Sequence, residues 1–98
     1  MKIKWLRKAL ENIEHEAETT YISQKNPAAA NELVQRIYDS VSLLADKPSL
    51  GHPGRIPDTR ELIVPDTHYI VPYRVKPRLK KIEILRIFHT SRMPPKNW

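Results

Sequence analysis

The chain has 98 residues, a size that fits one domain with one core. It has no cysteine, which excludes disulfides, thiolate metal sites and cysteine nucleophiles, and no apolar run approaches the roughly 20 residues of a membrane span. The formal charge of +6 is unevenly placed: residues 1–48 carry seven Lys/Arg and seven acids, while residues 49–98 carry ten Lys/Arg and four acids. Such a one-sided field favours a polyanionic partner, a nucleic acid or an acidic protein surface.

Residues 2–6 begin with polar and apolar residues in alternation and predict a short strand. The basic start, Met1 to Leu6, is followed by neither an apolar stretch nor a small-residue cleavage site. It does not read as a secretory signal, and the cytoplasm is the expected location. Leu6, Leu10, Ile13, Ala17 and Tyr21 then recur at helical spacing and predict an amphipathic helix with Glu11, Glu14 and Glu18 on its wet side. Asn26-Pro27 predicts a second helix start, Asn as N-cap and Pro where its missing N–H costs nothing. The stripe Leu33, Ile37, Val41, Leu44, thickened by Val34 and Ala45, follows it, and Pro48 ends it. The short link predicts an antiparallel helical hairpin.

Eight of the nine prolines and both glycines lie after residue 47. Residues 48–58 therefore read as a stiffened loop, holding neither a regular helix nor a regular strand. Three strand-like runs follow: 59–65, 68–76 and 81–89, separated by Pro65-Asp66-Thr67 and Pro77-Arg78-Leu79-Lys80. Pro72 cannot donate to a ladder and implies an edge position or a bulge. The tail from Thr90 is broken by Pro94-Pro95. The expected fold is α+β: an N-terminal strand, then the helical hairpin on one face of a mainly antiparallel four-stranded sheet, all in one domain, 1–98. The other sheet face is expected to be free to bind.

No Gly-rich phosphate loop or nucleophile elbow is present, and His15, His52, His68 and His89 show no metal-ligand spacing, so neither a metal nor another cofactor is expected. His89 stands out through its neighbours in Arg86-Ile87-Phe88-His89-Thr90-Ser91-Arg92. Basic neighbours favour a neutral imidazole able to take a proton, and arginines hold phosphate, so the group permits RNA cleavage. The competing reading has His89 capping the sheet and Arg86 pairing with an acid. Arg60, Arg74 and Arg86 each lie within a strand and some of them should share a face. Tyr69 and Tyr73 read as core or core-rim residues that also permit base stacking.

Several segments in this order resemble the RelE/ParE superfamily of toxins from type II toxin–antitoxin modules. They are Lys4-Trp5 with Ala9-Leu10, then Asn26-Pro27-Ala28-Ala29-Ala30, Gly51-His52-Pro53-Gly54-Arg55, Thr59 to Val64, Tyr69 to Val75, and Ile84-Leu85-Arg86-Ile87-Phe88-His89-Thr90-Ser91-Arg92. The last is similar to the family's Ile-Leu-Arg-Val-x-His-x-x-Arg ending. The resemblance implies a growth-inhibiting toxin in a hetero-oligomer with a cognate antitoxin, with no membrane partner. It leaves two targets open. ParE-like members inhibit DNA gyrase, and Arg60, Arg74, Arg86, Arg92 and Trp98 would then contact the target. RelE-like and YoeB-like members are metal-independent, ribosome-dependent mRNA endoribonucleases, and His89, Arg86 and Arg92 would then be catalytic, with Arg74 a further phosphate binder. The basic residue that many RelE-like members carry on the middle strand falls near Ile70, and Ile cannot hold a phosphate. The residues thus favour the gyrase side. A folded but non-toxic module partner is the third possibility.

Overall fold

The computed structural model describes residues 1–98. In chain order it contains β1 (Lys2–Trp5), α1 (Arg7–Gln24), α2 (Pro27–Ser42), β2 (His52–Pro53), β3 (Arg60–Ile63), β4 (Tyr69–Lys76), β5 (Lys81–Ile84) and β6 (Phe88–His89), with short 3₁₀ turns at Leu43–Ala45 and Pro77–Leu79. The strands lie in the order β1-β5-β4-β3-β2, and β6 pairs with β4 beyond the end of β5. The two helices carry the chain away from β1, so β1 ends up parallel to β5, while every other pairing is antiparallel. The expected α+β architecture is thus present, with one parallel edge and more, shorter strands than the four predicted.

Local chemistry explains the helix ends. Lys25 takes a left-handed φ of 51° and stops α1. Asn26 Oδ1 accepts the Ala28 N–H at 3.0 Å, and Pro27 opens α2. The predicted stripe of α2 is buried at Ile37, Val41 and Leu44. These side chains pack with Leu62, Val64, Val71, Tyr73, Ile82 and Ile84 in one core between the hairpin and one sheet face.

Three expectations need correction. On α1 the buried residues are Ala9, Ile13 and Glu16, whereas Leu10 and Tyr21 are exposed. The helix is turned so that polar side chains face inward: Asn12 Oδ1 accepts the Ile87 N–H at 3.2 Å, and Glu16 meets partners described below. The Asn12 bond satisfies a backbone donor whose burial unpaired would cost ~1–3 kcal/mol. Second, the run 81–89 is not one strand. The register shifts from Tyr73↔Ile84 to Ile70↔Phe88, so Val71 and Pro72 face three residues, Leu85, Arg86 and Ile87. This is a bulge, and it lies opposite Pro72. Pro72 supplies only its carbonyl there, accepting the Leu85 N–H at 2.9 Å. Third, the loop 48–58 does contain a strand, the two-residue β2, on the outer edge of β3, where Pro53 is tolerated because an edge leaves one side unpaired.

Candidate target-binding surface

The ladder register assigns each strand residue to a face. Tyr69 pairs with His89, so His89 lies on the helix side of the sheet and not on the open side. Its ring packs edge-on against Tyr69, with centroids 5.0 Å apart, and 5.7 Å from His68. Its Nδ1 accepts the Ser91 N–H at 3.1 Å, with Ser91 Oγ at 2.6 Å. The ring thus turns its lone pair into its own loop, and a neutral imidazole held this way carries its proton on Nε2. His89 and His68 border an open cleft of about 370 Å³ between the ends of the hairpin and the β3–β4 turn.

Arg92 lies one turn further on and is held by α1. It forms a two-pronged ion pair with Glu16, Nη1 to Oε1 and Nη2 to Oε2, the second at 3.2 Å. Tyr69 Oη donates to Glu16 Oε2 at 2.8 Å. Glu16 is 2% exposed, and these partners offset what burying its charge would otherwise cost. Burial, and then the adjacent Glu16 carboxylate, push the Tyr69 phenol up to about 12.

The other predicted contact residues are dispersed. Arg60 is taken up by the loop before β2, with Nε donating to Gly51 O at 2.8 Å and Nη2 to Ser49 O at 3.1 Å. Arg86 sits in the bulge and donates to its own neighbour, Leu85 O, at 2.6 Å, and burial lowers its pKa. Arg74 is on the open face, 3.8 Å from Glu83. Trp98 packs edge-on against Phe88 at 5.4 Å, with the Arg55 guanidinium over its ring, also at 5.4 Å. Arg55 also donates to Pro95 O. The tail therefore covers the Phe88 and Ile70 end of a face expected to be wholly free.

What remains open on that face is ordered in rows. Lys2, Lys81 and Lys76 are direct cross-strand neighbours, and so are Lys4, Glu83 and Arg74 in the next row. Glu83 touches both Arg74 and Lys81, the latter at 3.6 Å. Arg78 and Lys80 stand at the adjoining turn. Toward β3 the face becomes apolar: Ile63, Ile70 and Phe88 occupy one row, in which the tail partly covers Ile70 and Phe88 and leaves Ile63 59% exposed.

Several residues that build this region were not singled out from the sequence: Glu16, Asn12 and Arg55. A signal existed for Glu16, which continues the line of Ala9 and Ile13 at helical spacing and so falls on the buried face. Tyr73 was read as core. Its hydroxyl also ties the loop down, donating to Pro48 O at 2.6 Å and accepting the Gly51 N–H at 2.9 Å.

The helical hairpin packed on one face of a mainly antiparallel sheet is a fold this chain shares with solved toxin–antitoxin structures. The chain belongs to the ParE toxin family of type II toxin–antitoxin systems: the family model described as "ParE toxin of type II toxin-antitoxin system, parDE" matches residues 3–94. It is 38% identical over 94 residues to "Putative toxin Y4kP" of Sinorhizobium fredii (strain NBRC 101917 / NGR234), covering 96% of this chain and 93% of that one. It is similar to a chain of the chromosomal ParDE TA system from P. aeruginosa, with a TM-score of 0.80, 32% identity and coverage of 91% and 95%. It also shares its fold with a chain of the RelBE2 toxin–antitoxin complex from Mycobacterium tuberculosis, with a TM-score of 0.64, 17% identity and coverage of 90% and 88%.

Proposed function

We propose that this ParE-family toxin arrests growth by inhibiting DNA gyrase when it is free of a cognate antitoxin. It acts as a binding protein in the cytoplasm, where its target works. The observation that carries this reading is the commitment of the residues a ribonuclease would need. Arg92 is neutralised by buried Glu16, Arg86 is spent on Leu85 O, the His89 lone pair is engaged by Ser91, and Arg74 lies on the opposite sheet face from His89. Cleavage requires a base and a phosphate clamp within reach of one reacting atom, and these groups do not converge. The open face offers what a protein target needs: an apolar row at Ile63, Ile70 and Phe88 that ends on Trp98.

The antitoxin partner is inferred from membership of the family and from the toxin–antitoxin systems that hold the similar structures. The experiment is a supercoiling assay with purified gyrase, run beside ribosome toeprinting. Inhibited supercoiling that antitoxin reverses, with no new mRNA ends, is the expected result. Gyrase indifferent to excess toxin overturns the proposal, and A-site cleavage lost in His89→Ala would replace it with the ribonuclease.

A further inference from the structure

The register brings three lysines of three different strands side by side. Lys2, Lys81 and Lys76 occupy one row, with neighbouring strands only ~5 Å apart. Like charges placed directly opposite one another destabilise a sheet. The next row, roughly 7 Å away along the strands, adds Lys4 and Arg74 around Glu83. With Arg78 and Lys80 at the adjoining turn, seven cations surround a single carboxylate, and Glu83 already serves two of them. Such a row leaves an uncancelled positive field that a ligand of repeated negative charge would answer.

We propose that this basic end of the open face binds the phosphate backbone of duplex DNA without reading its sequence. Every side chain in the two rows is charged, the apolar surface at this end is limited to Met1 and Leu79 beside the turn, and no aromatic platform stands in the rows to hold a single strand. A rigid, repeating polyanion fits a flat, repeating set of cations, and Lys and Arg heads on long stems adjust to phosphates but carry no base specificity. The apolar row at Ile63, Ile70 and Phe88 lies at the other end of the same face, so a protein target and DNA have separate footholds. The choice of DNA over double-stranded RNA rests on the gyrase reading, because gyrase holds duplex DNA; the charge argument stands without it.

The test is fluorescence anisotropy of the antitoxin-free toxin with 20-base-pair DNA duplexes of unrelated sequence, titrated from low to physiological salt. Binding should be equal across sequences and fall steeply with salt. The Lys2→Gln/Lys76→Gln/Lys81→Gln variant should weaken it at least tenfold at low salt and flatten the logarithmic salt slope by ~2–3, about 0.9 per lost phosphate contact. Lys25→Gln, at the turn between α1 and α2 and away from the rows, should change affinity less than threefold. Circular dichroism of each variant confirms folding, and a triple variant that does not fold is replaced by Lys76→Gln alone, with a slope change near 1. No duplex binding at 50 mM salt overturns the proposal, as does a slope unmoved by the row variants. Tighter binding of single-stranded DNA, duplex RNA or poly-glutamate of equal length also overturns it. Supercoiling inhibition is read separately, so loss of the gyrase reading and loss of the DNA site give different results.

Discussion

Arg92 and Arg74 are the same residue type at opposite fates. Near the end of β6, Arg92 is drawn onto a buried glutamate and becomes part of the scaffold, binding the C-terminal segment to α1. On β4, Arg74 shares Glu83 with Lys81 and stays at the surface beside a row of lysines in which only Lys81 reaches an acid. Basic charge therefore does two jobs in this chain. Where an acid is buried opposite, the charge fixes the fold. Where none is, it is left as field, and a partner must answer it.

The largest effect that tests this contrast is Glu16→Ala. It strands Arg92 and the Tyr69 hydroxyl together, and denaturant unfolding should show a loss of ~3 kcal/mol, at the low end for buried pairs because Arg92 is half exposed. The matching change on the open face, Arg74→Ala, should cost ~0.5 kcal/mol or less.

Tyr69 gives the contrast a pH signature. The unfolded phenol ionises near 10, whereas the folded one stays neutral up to about 12. The unfolded state therefore binds fewer protons in this window. Stability from this group is complete below pH 10 and falls as pH rises through 12, by ~2 kcal/mol. Subtracting the profile of Tyr69→Phe isolates the effect, since the variant lacks the phenol.

Tyr73→Phe should come next, at ~1.5 kcal/mol by thermal or denaturant melts, because Pro48 O and the Gly51 N–H both lose their partner. The smallest effect is of opposite sign. Lys76→Gln relieves a like-charge neighbour and should leave stability unchanged or raise it by up to ~0.5 kcal/mol. A clear loss in that variant would mean that the row is structural and that the two regions are not different in kind.

Much of the fold was legible because it rests on local rules. Asn26-Pro27 announces a helix start through the chemistry of one cap, and Leu33, Ile37, Val41 and Leu44 mark one face of α2 through spacing alone. Pro72 pointed to an edge position or a bulge because a residue without an N–H cannot donate to a ladder, and the structure has the bulge, at Leu85 to Ile87. The site was less legible. Arg60, Arg74, Arg86, His89 and Arg92 looked like one cluster because they crowd the basic half of the sequence. The strand register splits them between two faces and a bulge: the β3–β4 pairing sets Arg60 opposite in face to Arg74, and a single added residue in the β5–β6 run puts His89 on the helix side.

The sequence by itself determined the helical hairpin, the three late strand regions, the turn at Asp66 and the excess of positive charge, since each follows from residues within one helical turn or one strand of each other. It could not decide which charges would be cancelled. That depends on what stands across from each side chain, and the partners are far apart along the chain: Glu16 lies 76 residues from Arg92, and Lys2 meets Lys81 only because β1 returns beside β5. Only the packed structure brings such groups within a few ångströms, where Coulomb and hydrogen-bond energies become large enough to matter.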